Sequence, residues 1–134
     1  MPFEELEHTA DRALRVWAGD LPSLFVEAAR GMFSLVADLA GDATPRGWDP
    51  IDLEAIDHES LLVEWLNELL FLAEDADRLF VAFRIDHLTH TQLRAQAGWV
   101  PGHPTRAYIK AATYHNLQIV ATDDYLLVEL TFDM

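Results

Sequence analysis

The sequence predicts an α+β fold in which two amphipathic helices pack on one mixed or antiparallel β-sheet. Two long segments carry apolar side chains at helical spacing, an alternating segment precedes the first of them, and β-forming segments dominate the second half of the chain. We expect residues 1–134 to form a single domain, because dividing 134 residues between two domains would leave two cores too small for stability.

The chain opens with a predicted strand and a first helix. Residues 13–18, ALRVWA, alternate between apolar and polar and predict a strand. Residues 19–38 place apolar side chains at helical spacing, and Pro22 suits a first helical turn, where its missing N–H has no partner. Gly31 inside this helix costs about 1 kcal/mol relative to alanine. It therefore predicts a close approach of another segment to the helix backbone.

A loop, a short strand and the second helix follow. Residues 41–50, GDATPRGWDP, predict a surface loop, and residues 51–56 alternate as a short strand. Residues 57–77 predict the second helix, with Asp57 and Ser60 as alternative N-caps. Its apolar stripe predicts a buried face made of Leu61, Leu62, Trp65, Leu66, Leu69, Leu72 and Ala73, whereas the side chains expected to face away are Glu64, Asn67 and Glu68.

The remaining segments predict two β-hairpins. Residues 79–88 and 91–100 flank a polar Thr-His-Thr tip, and residues 107–120 and 125–134 flank the turn ATDD. A strand at the end of the chain stays ordered only when it pairs with other strands, so we expect the last strand to lie within the sheet.

Charge and composition restrict the function. Nine Lys and Arg against 23 Asp and Glu give a net charge of −14, which repels phosphate backbones and opposes direct binding to nucleic acid. The same charge favours a basic protein or a divalent cation as partner. The absence of cysteine excludes thiolate metal sites and disulfides. The N-terminus lacks a signal-peptide pattern and no apolar run is long enough to span a bilayer, so we expect a cytoplasmic protein without a membrane partner.

The common enzyme motifs are missing. The chain has no Gly-rich phosphate loop, no GxSxG elbow and no HExxH helix. His87 and His90 are interpreted as solvated turn histidines, His115 as a hydrogen-bonded strand residue, and Trp65 as a core side chain rather than part of a partner groove. The absence of these motifs argues against an enzyme and favours a protein that acts without catalysis.

Two acidic residues suggest a metal site. Asp11 precedes the first predicted strand, and Asp133 follows an otherwise apolar last strand. If both strands end at the same edge of the sheet, the two carboxylates meet and need a proton or a hard cation between them. From residue types alone, the simpler interpretation is favoured, in which Asp11 caps a turn and Asp133 is exposed at the terminus.

Five segments in order resemble the archease family. They are HTAD at 8–11, LPSLFVEAARGMF at 21–33, SLLVEWLNELLFLAEDAD at 60–77, KAATYHNLQIV at 110–120 and the closing TFDM at 131–134. No single segment is specific, but the five in this order extend over essentially the whole chain.

The resemblance implies a non-enzymatic activator of an RtcB-type RNA-splicing ligase, which promotes guanylylation of the ligase by GTP and its multiple turnover in tRNA splicing and RNA repair. It also implies a divalent metal ion, calcium or manganese-like, held by Asp11, Asp133 and a main-chain oxygen of Met134. As the last residue, Met134 is expected to offer that oxygen as a carboxylate. His8 is expected to orient the site rather than to ligate the ion.

Two departures from the family pattern bear on this site. HTAD is followed here by Arg12 and Ala13, where the family usually has an apolar residue and a glycine. The guanidinium of Arg12 either pairs with Asp11 and competes with the metal, or points into solvent. The ending in Met134 instead of a β-branched residue changes little if only the main chain ligates.

Two other functions remain open from the sequence. One is a small metal-dependent phosphoesterase, with the paired carboxylates at the metal and His8 or His115 as proton carrier. The other is a chaperone-like modulator of an RNA-modifying enzyme, which acts without catalysis.

Overall fold

The computed structural model describes residues 2–6, 12–39 and 43–134, which form eight strands and two helices. The strands are β1 (Phe3–Leu6), β2 (Arg12–Ala18), β3 (Gly47–Glu54), β4 (Arg78–Leu88), β5 (Gln92–Pro101), β6 (Ala111–Thr113), β7 (Val120–Ala121) and β8 (Leu126–Asp133). The helices are α1 (Leu21–Val36) and α2 (His58–Asp75). Neither helix is both long and apolar enough to cross a membrane.

The strands form two antiparallel sheets. The larger sheet has the order β1-β2-β8-β6, with β7 also paired to β8, and the smaller has the order β3-β5-β4. The predicted class, two helices on antiparallel β-structure, is confirmed, but the expectation of one sheet is wrong. In the larger sheet β8 pairs with β2 on one side and with β6 and β7 on the other, so both of its edges are occupied.

Both helices begin at an aspartate that acts as N-cap. The Asp20 carboxylate accepts the backbone N–H of Ser23 at 2.8 Å, and that of Asp57 accepts the N–H of Ser60 at 2.8 Å. These hydrogen bonds hold the pKa of both carboxyl groups below its ordinary value. Of the two cap candidates for α2, Asp57 is therefore the cap and Ser60 is the donor to it.

The helices join the two sheets into one core. Helix α1 packs against β2 of the larger sheet and β4 of the smaller one, and α2 contacts β6 and β4. Trp65 is fully buried, and its indole N–H donates to the carbonyl of Phe25 in α1 at 2.9 Å. The prediction that Trp65 belongs to the core is confirmed. The largest other buried aromatic side chains are Phe25, Phe33, Phe80 and Phe132.

Gly31 lies where α1 approaches the larger sheet. A methyl group added to its Cα would lie 3.0 Å from the ring of Phe3 and 3.1 Å from Leu14. The close approach expected from a glycine in mid-helix is thus confirmed, and the neighbours are side chains of β1 and β2.

Three segments depart most from the sequence prediction. Strand β3 begins at Gly47, inside the predicted loop 41–50, because Pro50 is tolerated on an edge strand. Strand β1 was not predicted at all. The hairpin of β4 and β5 is confirmed, whereas the partner of β8 is divided into β6 and β7 by a turn in which Asn116 has a φ of 52°.

Asn67 faces a strand instead of solvent, which corrects the prediction for this side chain. Its amide NH₂ donates to the carbonyl of Ala112 at 3.1 Å, and its amide oxygen accepts the N–H of Ala112 at 2.8 Å. The side chain of α2 thus satisfies both backbone groups of one β6 residue, as a neighbouring strand would.

Asn67→Asp is expected to lower the free energy of unfolding by about 1–3 kcal/mol at neutral pH, because one carboxylate oxygen would face the Ala112 carbonyl without a proton between them. This repulsion raises the pKa of the new carboxyl group in the folded state. The deficit against the native protein should therefore shrink as the pH falls through that pKa, where the protonated acid donates again.

Urea unfolding at a series of pH values measures this difference. The matched control is Gln118→Glu, the same amide-to-acid change at an exposed position. A deficit that is independent of pH, or equal in the two variants, would contradict the pairing of Asn67 with β6.

Candidate metal centre

The candidate centre depends on the antiparallel pairing of β2 with β8. The register runs from Arg12 opposite Phe132 to Ala18 opposite Leu126. The first residue of β2 therefore lies at the same end of the sheet as the last residue of β8. We call this end of the two strands the β2–β8 edge. The condition set by the sequence, that these two strands end together, is confirmed.

Two of the predicted ligands, Asp133 and Met134, lie at the end of β8 and directly after it. Asp133 is exposed, whereas the preceding Phe132 is buried, because successive side chains of a strand point to opposite faces. The main-chain carbonyl of Asp133 accepts the N–H of Lys110 at 2.8 Å, so this oxygen is already paired. Its carboxylate and the following Met134, which is 36% exposed, lie at the surface of the sheet edge.

Asp11 and His8 lie outside the described residues. The predicted ligand set of Asp11, Asp133 and Met134, with His8 beside it, therefore stays a prediction. Within residues 2–6, 12–39 and 43–134, no group of three or more acidic or histidine side chains is arranged to hold a metal. Asp133 and Met134 supply oxygen donors of the kind that hard divalent cations prefer, but they are only part of a coordination shell.

Arg12 has a partner that the sequence did not suggest. Its guanidinium forms an ion pair with Glu5 of β1. Three residues further along β2, Arg15 contacts Glu4 at 2.8 Å and Glu129 of β8 at 2.9 Å. These carboxylates, first Glu129 through its hydrogen bond, raise the pKa of Arg15.

The ion pair with Glu5 has a direct consequence for the candidate centre. The positive charge of Arg12 is offset by an acid of β1, so less of it acts on a cation at the β2–β8 edge. Neither alternative foreseen for Arg12, pairing with Asp11 or pointing freely into solvent, includes this contact. Nothing in the sequence indicated the ion pair between Arg12 and Glu5, because β1 itself was not predicted.

The remaining candidate histidines lie elsewhere. His90 lies exposed in the β4–β5 turn as predicted, whereas His87, also exposed, belongs to strand β4 and not to the turn. The ring of His90 lies 4.4 Å from that of His58 at the start of α2, a neighbour that the sequence did not indicate. His115 is exposed in the turn between β6 and β7 rather than in a strand, and its ring nitrogen lies 3.2 Å from the amide of Asn116.

Comparison with known proteins agrees with this architecture. The sequence model of the Archease protein family (MTH1598/TM1083) matches residues 3–134. A protein archease from Methanopyrus kandleri is 37% identical over the full length of both chains, and one from Danio rerio is 30% identical over 90% of this chain and 78% of its own length.

Two solved structures share the fold. The solution structure of Methanobacterium thermoautotrophicum protein 1598 superposes with a TM-score of 0.80 at 27% identity and covers 99% of each chain. The crystal structure of an archease from Thermotoga maritima, titled a possible chaperone, has a TM-score of 0.68 at 20% identity and covers 98% of this chain and 96% of its own. The family match over almost every residue, the relatives and the shared fold lead to one conclusion: this chain belongs to the archease family.

Proposed function

We propose that this protein is a non-enzymatic activator of an RtcB-type RNA-splicing ligase, which promotes guanylylation of the ligase by GTP and its multiple turnover in tRNA splicing and RNA repair. The observation that carries the proposal is the pairing of Arg12 with Phe132 in a chain of the archease family. This pairing brings the start of β2 to the strand end that bears Asp133, where the family resemblance implies the functional acids.

The donor chemistry of this edge fits a hard divalent cation, calcium or manganese-like. Asp133 offers an exposed carboxylate, Met134 offers a main-chain oxygen, and Asp11 is the third proposed ligand, with His8 as an orienting neighbour. Such an ion supplies a fixed positive charge with exchangeable oxygen ligands. In the proposed complex, the carboxylates of this chain are directed towards the nucleotide site of the ligase.

Charge supports the choice of partner. A net charge of −14 steers the protein towards basic surfaces and away from RNA itself. A ligase that holds GTP and RNA ends needs cationic side chains around their phosphates. Direct contact with the enzyme, rather than with its RNA, is therefore the mode of action that we propose.

A chaperone-like modulator is the second candidate, suggested by the description of the Thermotoga maritima archease as a possible chaperone. It agrees with the first proposal that the protein acts without catalysis. No specific observation in residues 2–6, 12–39 and 43–134 favours the third alternative, a metal-dependent phosphoesterase.

Asp133→Asn is expected to weaken binding of calcium or manganese by about tenfold or more, because a neutral amide replaces a charged oxygen ligand. Isothermal titration calorimetry at neutral pH measures the affinity directly. Asp123→Asn removes the same charge from an exposed position before β8 and serves as the control. Equal affinities of the Asp133 and Asp123 variants would exclude Asp133 as a ligand.

Asp11→Ala and Asp133→Ala are each expected to abolish most of the stimulation of ligase guanylylation. The assay follows the formation of the covalent ligase–GMP adduct from labelled GTP with increasing amounts of each variant. Asp123→Ala should stimulate like the native protein, and thermal unfolding should confirm that all variants are folded. Full stimulation by the Asp11 variant would remove the β2–β8 edge from the mechanism, whereas protection of the ligase from aggregation without any effect on the adduct would favour the chaperone.

A further inference from the structure

A second surface feature lies at the C-terminal end of α2. A cleft of about 230 Å³ opens between this helix end, the start of β4 and the segment 102–109. Its apolar wall includes Phe33, Leu70, Ala73, Leu79 and Ile109. We name this feature the α2 cleft.

The rim of the α2 cleft is acidic and aromatic. Glu74 and Asp77 line it, and Asp75 lies between them in sequence at the end of α2. The hydroxyl of Tyr108 donates to the Glu74 carboxylate at 3.1 Å. Phe71, which is 61% exposed, is a neighbour of Glu74 on the helix surface because the two are three positions apart.

These acids are placed against the helix dipole. The last turn of α2 contains no basic residue, and its terminal carbonyl groups carry partial negative charge, although that of Leu72 accepts the Nε–H of Arg78 at 3.3 Å. The helix dipole therefore disfavours Glu74 and Asp75 in this turn, and the hydrogen bonds from Tyr108 to Glu74 and from Arg78 to Leu72 offset part of this cost. Acids that work against the fold at the mouth of an apolar cleft are typical of a surface selected for binding.

The nearby cations do not neutralise the rim. Arg78 lines the cleft, but its guanidinium is 2.7 Å from the Asp49 carboxylate and lies over the rings of Phe80 and Trp99. The exposed His103 is the other basic side chain lining the cleft, against the three acids at and just after the end of α2, Glu74, Asp75 and Asp77. The rim therefore keeps a net negative charge.

The volume of the cleft indicates which kind of ligand fits into it. Pockets for drug-sized molecules usually have volumes of about 300–1,000 Å³, so this one suits a single large apolar side chain. A side chain presented by a polypeptide also brings neighbouring residues to the rim, where Glu74 and Asp77 favour lysine or arginine.

We infer that the α2 cleft is an anchor site for a protein segment in which an apolar side chain is flanked by basic residues. The inference goes beyond the proposed ligase activation and does not depend on it. The two surfaces are connected through the chain, since Ile109 lines the cleft and the next residue, Lys110, donates its N–H to the carbonyl of Asp133.

The test uses a blocked pentapeptide with phenylalanine at its centre and two lysines on each side. In a ¹⁵N–¹H correlation titration of the full chain, saturable shifts are expected at the amides of Ala73, Gly102 and Ile109. The same peptide with central alanine, or with glutamate in place of lysine, should give no saturable shift there. Absence of saturation with the phenylalanine peptide would overturn the inference, as would equally tight binding of free phenethylamine, which would assign the cleft to small organic cations.

The double variant Glu74→Gln/Asp77→Asn tests the rim. Glutamine keeps an acceptor for Tyr108, and asparagine tolerates the positive φ of 50° at position 77. We expect the peptide affinity to fall by about fivefold while Tm stays equal or rises, because repulsion with the helix dipole is relieved. The control Asp123→Asn/Asp124→Asn removes two charges elsewhere and should change neither.

A substantially lower Tm of the rim variant, or an equal loss of affinity in the control, would overturn the inference. Ala73→Leu fills the apolar part of the cleft and should abolish the saturable shifts at Gly102 and Ile109. Unchanged binding in this variant would place the peptide elsewhere.

Discussion

The pairing of β2 with β8 is the constraint on which the rest of the structure depends. Strand β8 is the last in the chain and lies inside the larger sheet, with β2 on one side and β6 and β7 on the other. Because β2 spans Arg12–Ala18 and β8 spans Leu126–Asp133, this contact joins segments that are more than 100 residues apart in the sequence. It also fixes which residues share the edge that the functional proposal requires, since a shift by one residue would turn each side chain of β8 to the other face.

The charges along β1, β2 and β8 belong to the same constraint. Arg12 of β2 pairs with Glu5 of β1, and Arg15 of β2 lies between Glu4 of β1 and Glu129 of β8. Each exposed pair contributes little by itself. Together they place cations between strands that would otherwise present only acids, in a protein whose charge is strongly negative.

The helices and the β4–β5 hairpin were predictable because their signals are local. Apolar spacing, an aspartate cap and alternation are all read within a few turns of chain. Strand β1 was missed because Glu4 and Glu5 become favourable only next to the arginines of β2, and Asn67 was misplaced because its partner Ala112 is 45 positions away. For the candidate centre, the sequence raised the condition that the strands beside Asp11 and Asp133 end together, which the register of β2 with β8 meets, while Asp133 as a ligand stays a prediction. The ion pair of Arg12 depends on the strand that was not predicted.

The contact of Asn67 with Ala112 has a consequence for the behaviour of many copies of this protein together. Strand β6 is the outermost strand of its sheet, and an outermost strand with free backbone groups can recruit a strand from another molecule. Here an amide side chain occupies the donor and the acceptor of Ala112, so an incoming strand finds no place to bond at that residue. Asn67 of α2 thus hinders the pairing of β6 with a strand of another molecule at Ala112, and this pairing is a route to aggregation.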